Sequence, residues 1–286
     1  MNPDGPPRPA RGSRPLPSIP SALDEWAQVV ALVDGHRLVV FLDFDGTLAP
    51  IVDEPAAAAL PASTVPILGR LAATVPVAIV SGRGADDVTA RVGLDDVHVA
   101  GSHGFEIVRP GGDRHEHPGA AAAQPALDAA ADDLDREIGA VPGVIIEPKR
   151  FGLTVHDRMV AEPDLARVRS AAATVGAQHG LWVTSGKRVT ELRPPVAWDK
   201  GQAVLWLLDD LRIAGAVPVY IGDDRTDEDA FVALGSDALT VVIGGDDADA
   251  ARTSAAGFRL TDTGQVADLL ERLIDLGARR PSPPPG

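Results

Sequence analysis

The sequence predicts an α/β protein, a parallel sheet with helices on both faces, interrupted by a smaller α+β insertion. Three observations predict it. Short runs apolar at nearly every position recur along the chain, as strands buried on both faces require. Helix-like stretches separate them, and strand alternating with helix implies a parallel sheet. Between about Arg109 and Leu192 that rhythm gives way to another.

The strand-like runs are Leu38 to Leu42, Val77 to Val80, Val97 to Ala100, Pro218 to Ile221 and Leu239 to Ile243, each followed by small or acidic residues. The helical stretches between them are Ser63 to Ala73, Gly84 to Val92, Gly201 to Leu211 and Thr226 to Leu234. In such a sheet ligands bind beyond the carboxyl ends of the strands, so functional residues are sought there. Inside the insertion an Ala-rich helical segment runs near Ala120 to Ile138. Strand-like Val144 to Arg150 and Gly152 to Arg158 follow, then a second helix and one strand-like run from Leu181 to Leu192. Alternation of Thr154, His156 and Arg158 with Leu153, Val155 and Asp157 marks a strand with two different faces.

The ends differ in composition. Pro3, Pro6, Pro7, Pro9, Pro15, Pro17 and Pro20 crowd the start, with no apolar stretch like that of a secretory signal. The expected organisation is an extended Pro-rich tail over 1–22, a core domain over 23–108 and 193–278, a cap domain over 109–192, and a second tail over 279–286. A formal net charge of −15 repels phosphate backbones and anionic lipid, so neither nucleic acid nor membrane is expected as a partner. The chain has no cysteine, which removes disulfides, thiolate chemistry and zinc–thiolate sites and suits a reducing cytoplasm, the expected location.

Directly after the first strand stands Asp43-Phe44-Asp45-Gly46-Thr47-Leu48. Two carboxylates two residues apart, then glycine, place paired oxygens and open backbone N–H groups at a strand end, which suits a phosphate with a divalent cation. This motif resembles the first motif of the haloacid dehalogenase superfamily, and three more follow in order: Ser81 in Val80-Ser81-Gly82-Arg83, Lys200 in Trp198-Asp199-Lys200-Gly201, and Asp223 with Asp227 in Gly222-Asp223-Asp224-Arg225-Thr226-Asp227. The resemblance implies a Rossmann-like core with an inserted α+β cap, and a phosphatase. Asp43 would be the nucleophile, forming an aspartyl-phosphate, and Asp45 the general acid and base. Lys200 would neutralise nucleophile and phosphate. Gly46, Thr47, Ser81, Gly82 and Arg83 would bind phosphoryl oxygens. Mg²⁺ would be held by Asp43, the Asp45 carbonyl and Asp223, with Asp227 and Asp224 behind them.

The finer resemblance is to the trehalose-6-phosphate phosphatase family, and it covers Leu38 to about Ile274. Tyr220-Ile221-Gly222-Asp223-Asp224-Arg225-Thr226-Asp227-Glu228-Asp229-Ala230-Phe231 is its closest stretch. It implies a cap that grips the distal glucose through Glu147, Lys149, His156, Arg158, Lys187 and Glu191. Even spacing within Glu147/Lys149, His156/Arg158 and Lys187/Glu191 puts each pair on one strand face, where they could equally form ordinary cross-strand ion pairs. Pro148 and Asp157 depart from the family pattern, and His103 could line the cleft or cap a strand. The rival readings are another capped sugar phosphatase or a hexose-phosphate mutase, which share the core and differ in the cap, and a non-catalytic sugar-phosphate-binding partner of the synthase, against which the intact Asp43, Asp45, Lys200 and Asp223 argue. The synthase that makes the substrate is the protein partner to expect.

Overall fold

The computed structural model describes residues 12–52, 57–186, 188–244 and 252–278. The chain divides into two compact units, one built from residues up to Arg114 and from Trp198 onward, the other from His115–Ala197.

The first unit is built on one sheet whose central strand, Arg37–Leu42, lies between Ala216–Gly222 and Val77–Val80. Leu239–Ile243 and Phe258–Leu260 extend it on one side, His98–Gly101 and Glu106–Val108 on the other. All these pairings are parallel except the last, where Glu106–Val108 runs antiparallel to His98–Gly101. The doubly apolar runs have a simple cause. Val40 and Leu42 point into a core with Leu68, Leu71, Val88 and Leu269 from helices on one face. Val39 and Phe41 point into a second core with Val204, Leu207, Ala230 and Phe231 from helices on the other. Each strand therefore needs an apolar residue at every step.

Two helices start where the site needs them. Helix Ala85–Val92 begins with the Ala85 N–H donating to Glu106 Oε1 at 2.9 Å and ends at Gly93, in the left-handed region at φ 64°. Helix Lys200–Leu211 begins behind Asp199, whose side chain accepts from the Gln202 N–H at 2.8 Å. This N-cap makes Lys200 the first helical residue and fixes its direction.

The tail expected over 1–22 is corrected from Arg14 onward. Arg14–Pro15 pairs with Thr253–Ser254, the Leu16 N–H donates to the Arg252 carbonyl, and the Arg259 N–H donates to the Pro20 carbonyl. Leu16, Ile19 and Ala22 are buried. Prolines suit this strap because an extended segment at a sheet edge needs few of its own N–H groups. Residues 1–11 of that tail and all of the one expected over 279–286 lie outside the described residues. Arg109 to Arg114 also belong with the core unit, since the Arg109 N–H bonds the Asp113 carbonyl in a turn leaving the Glu106–Val108 strand.

The second unit packs helices Gln124–Ile138 and Glu162–Gln178 on one face of a four-stranded antiparallel sheet. Its order is Ile145–Lys149, Gly152–His156, Val189–Arg193, Trp182–Gly186. Leu153, Val155 and Leu192 meet Leu134, Val168 and Val175 in its core. Three local expectations change here. The Ala-rich segment is two helices, Pro118–Ala122 and Gln124–Ile138, because Pro125 cannot donate into a continuous helix. The run from Leu181 to Leu192 is a hairpin, turning at Arg188 with φ 64°. Gly152–His156 ends before Arg158, so even spacing no longer places Arg158 beside His156.

Candidate active site

All four motifs lie in the first unit, where the carboxyl ends of Arg37–Leu42, Val77–Val80 and Ala216–Gly222 meet. Asp43 continues the central strand, its N–H donating to the Ile221 carbonyl at 2.9 Å. Its carboxylate is buried and accepts from Lys200 Nζ at 2.7 Å on Oδ1. Lys200, 3% exposed, donates equally to Asp227 Oδ1 at 2.7 Å. Asp227 is fully buried, and its Oδ2 accepts from the Asp224 N–H at 2.9 Å.

Carboxyl oxygens of Asp43, Asp223 and Asp227 all lie within 4.8 Å of one another. One ammonium does not balance three carboxylates in a buried space. Burial pushes the Asp43 carboxyl well up, Lys200 opposes this, and Asp227 and Asp223 push it further. Burial, then Asp227 and Asp224, raise Asp223 to about 7. Burial pulls the Lys200 ammonium down, but Asp43 and Asp227 outweigh it and keep it protonated. Asp223 Oδ1 is buried with no hydrogen-bond partner, an acceptor that a bound cation would satisfy. An all-oxygen, anion-rich set with an orphaned acceptor fits a hard divalent cation. Asp43 and Asp223 are the side chains free to ligate it, because both Asp227 oxygens are already engaged. Asp224 turns its carboxylate onto its own loop, at the Arg225 and Thr226 N–H groups.

Glycine is required twice. Gly46 has φ 81°, and a Cβ there would stand 2.1 Å from Asp223 Oδ2. At Gly222 a Cβ would fall 2.3 Å from Asp227 Cγ. Both acids reach the site only because those positions lack a side chain.

Around this centre stand the residues expected to bind phosphoryl oxygens. Thr47 Oγ1 is buried without a partner, and its N–H and hydroxyl belong to the turn after Asp45. Ser81, 1% exposed, accepts from the Arg83 N–H at 3.1 Å and keeps its own hydroxyl proton to donate. The His103 ring stands over Gly82, with the His103 N–H bonded to the Ser81 carbonyl at 2.8 Å. His103 therefore lies beside Ser81 and Gly82, in the turn that directly follows the His98–Gly101 strand.

Arg83, expected on phosphate, has its fork on Asp45: Nε to Oδ2 at 2.6 Å and Nη2 to Oδ1 at 2.7 Å. Nη1 reaches Asp87 at 3.1 Å, and the guanidinium lies 5.6 Å from the Phe44 ring centroid. Sequence reasoning missed this pairing, and it missed Tyr220 and Glu106. Tyr220 donates to Asp227 Oδ1 at 2.7 Å, and Glu106 Oε1 accepts from Ser102 Oγ at 3.0 Å as well as from Ala85. A tyrosine inside an apolar strand and a glutamate opening one were the available signals.

The second unit carries the other expected residues. By register Glu147, Thr154, Glu191 and Thr184 form one row across its sheet, on the face opposite the helices. Lys149 and His156 share that face by alternation. His156 Nε2 and Glu147 Oε2 are 2.8 Å apart, so one cross-strand pair does form. Arg158 is exposed in the following turn, and Lys187 lies outside the described residues.

The comparisons agree with this arrangement. Residues 41–263 match the family described as trehalose-phosphatase. The chain is 45% identical over 268 residues to the trehalose-phosphate phosphatase of Mycobacterium tuberculosis, covering 92% of this chain and 67% of that protein. A solved structure of a trehalose-6-phosphate phosphatase related protein superposes with a TM-score of 0.72 at 26% identity, covering 85% of this chain and 99% of the other. The C-terminal domain of the Candida albicans trehalose-6-phosphate phosphatase shares the fold, with a TM-score of 0.68 at 24% identity over 90% of this chain and 98% of the other. Among the described residues no helix is long and apolar enough to cross a membrane. With a buried Asp–Lys–Asp centre at the strand ends of a mostly parallel sheet, the chain belongs to the trehalose-phosphatase family and is a phosphoric monoester hydrolase.

Proposed function

We propose that this enzyme hydrolyses trehalose 6-phosphate to trehalose and inorganic phosphate, the closing step of trehalose synthesis, with Mg²⁺ as its cation. The observation that carries the reading is the buried Lys200 ammonium, 2.7 Å from both Asp43 and Asp227, beside the orphaned Asp223 oxygen in a chain of this family.

Asp43 Oδ2 attacks phosphorus, and the bond from phosphorus to the sugar oxygen breaks. Asp45 gives that oxygen its proton and then, as carboxylate, takes one from the water that cleaves the aspartyl-phosphate. Lys200 aligns Asp43 and offsets charge, while Thr47, Ser81 and the Gly82 N–H receive phosphoryl oxygens; the Gly46 N–H, expected among them, donates instead to the Ala49 carbonyl at 2.7 Å. Bound Mg²⁺, held by Asp43, the Asp45 carbonyl and Asp223, would neutralise charge on the transferring group. Arg83 has its fork on both Asp45 oxygens, so Asp45 must leave this pair before it carries a proton to the leaving oxygen, and Arg83 is then released toward the phosphate.

Phosphate release tests the substrate. Trehalose 6-phosphate should be turned over with the highest kcat/KM beside glucose 6-phosphate and sucrose 6-phosphate. A preference for either of the others would overturn the trehalose reading while leaving the phosphatase intact.

For sugar recognition we propose the row Glu147, Thr154, Glu191 with Lys149 and His156, joined by Lys187 and Arg158. Carboxylates beside cations suit hydroxyls, which both donate and accept. Glu191→Ala should cost about ten-fold or more in kcat/KM for trehalose 6-phosphate, as expected for a charge-assisted hydrogen bond. Turnover of a small aryl phosphate should hold steady. Equal losses on both substrates would make Glu191 a structural residue of its sheet.

A further inference from the structure

Tyr220 is the chain's single tyrosine, and none of its surface reaches solvent. Its ring meets Phe231 edge-on, centroids 5.7 Å apart at 87°, within an otherwise apolar core. That packing makes no use of a hydroxyl, and phenylalanine would fill the same space. Yet the hydroxyl donates to Asp227 Oδ1 at 2.7 Å, the oxygen that also takes Lys200 Nζ.

We infer that Tyr220 is a positioning residue for phosphoryl transfer, pinning Asp227 so that it holds Lys200 against Asp43. The inference rests on the reading that Asp43 attacks phosphorus and Lys200 aligns it. Asp227 lies close to Asp43 and Asp223, with both of its oxygens held away from ligation by hydrogen bonds. The torsion that turns a carboxylate is soft, so hydrogen bonds must set its angle. Three donors set it here: Tyr220 and Lys200 on Oδ1, the Asp224 N–H on Oδ2. The first is the one whose loss leaves backbone and charge unchanged. Without it Asp227 can swing away from Lys200, and the ammonium that orients Asp43 loses its second anchor. The consequence falls on the chemical step.

The test is Tyr220→Phe in the full chain. On both trehalose 6-phosphate and an aryl phosphate, kcat should fall about ten-fold with KM unchanged, while the protein melts cooperatively near the wild-type temperature. With Asp227→Asn already present, adding Tyr220→Phe should change single-turnover rates by less than about two-fold, because the hydroxyl acts through Asp227. The tyrosine Raman doublet, free of overlap from other tyrosines, should report a strong donor in the wild type. An unchanged kcat with an inactive Asp43→Asn would overturn the inference and leave the proposed mechanism standing. A lowered melting temperature with full kcat would make Tyr220 merely structural, and full additivity with Asp227→Asn would place its action elsewhere. An active Asp43→Asn would remove the mechanism on which it rests.

Discussion

Replacing Asp43 by Asn is expected to abolish turnover, by at least about a thousand-fold, without loosening the fold. The carboxylate stands at the end of the central strand with its backbone tied to Ile221, so the side chain has little freedom to be replaced by a neighbour. Asn keeps the shape and can still accept from Lys200, but a carboxamide cannot form the acyl-phosphate. The charge argument predicts intact stability. Burial pushes the Asp43 carboxyl up, Lys200 opposes, and Asp227 and Asp223 push further, so its ionised form burdens the metal-free fold at neutral pH. Removing that charge leaves Lys200 paired with Asp227. A thermal melt beside a phosphate-release assay checks both halves. Activity within ten-fold of wild type would show that Asp43 is not the nucleophile.

The convergence of the candidate site residues was legible in the sequence because they follow strand ends directly. Asp43 and Asp223 each come straight after a run of buried apolar residues, and Lys200 comes straight after a capping Asp. Such positions are fixed by local structure, and local structure is what pattern reading detects. The partners of those residues were not legible, because long-range packing decides them. Arg83 meets Asp45 across 38 residues, and nothing in the spacing distinguishes a carboxylate from a phosphate as its target. Tyr220 looked like one more apolar strand residue, since only the fold brings Asp227 under its hydroxyl. The strap from Arg14 to Ala22 failed for a related reason. Its prolines match a free tail, and burial of Leu16 and Ile19 depends on a sheet edge formed by Thr253–Ser254 far along the chain. In the second unit period-two alternation gave the faces of Gly152–His156 correctly, yet it could not see the turn at Arg188 that makes a hairpin of one apparent strand.

Removing the divalent cation is expected to abolish turnover, and the stabilisation that the cation confers is expected to grow with pH. Asp223 titrates at about 7 in the metal-free fold against an ordinary 3.8, raised first by burial and then by Asp227 and Asp224. Its folded carboxyl therefore keeps a proton that the unfolded chain has already released. The fold binds more protons than the unfolded state between those values, so this group makes metal-free stability fall as pH rises from about 4 to about 7. The loss is of the order of 4 kcal/mol, and a cation bound at Asp43 and Asp223 would replace the missing proton. Mg²⁺ should accordingly raise the melting temperature little near pH 5 and much more near pH 8. The Mg²⁺ concentration for half-maximal activity should fall as pH rises to about 7 and then level off. Asp223→Asn should flatten both trends, since its side chain has no proton to exchange for the metal. A shift in melting temperature equal at both pH values would mean that Asp223 is not the group that Mg²⁺ meets, and full activity in excess chelator would remove the metal from the mechanism.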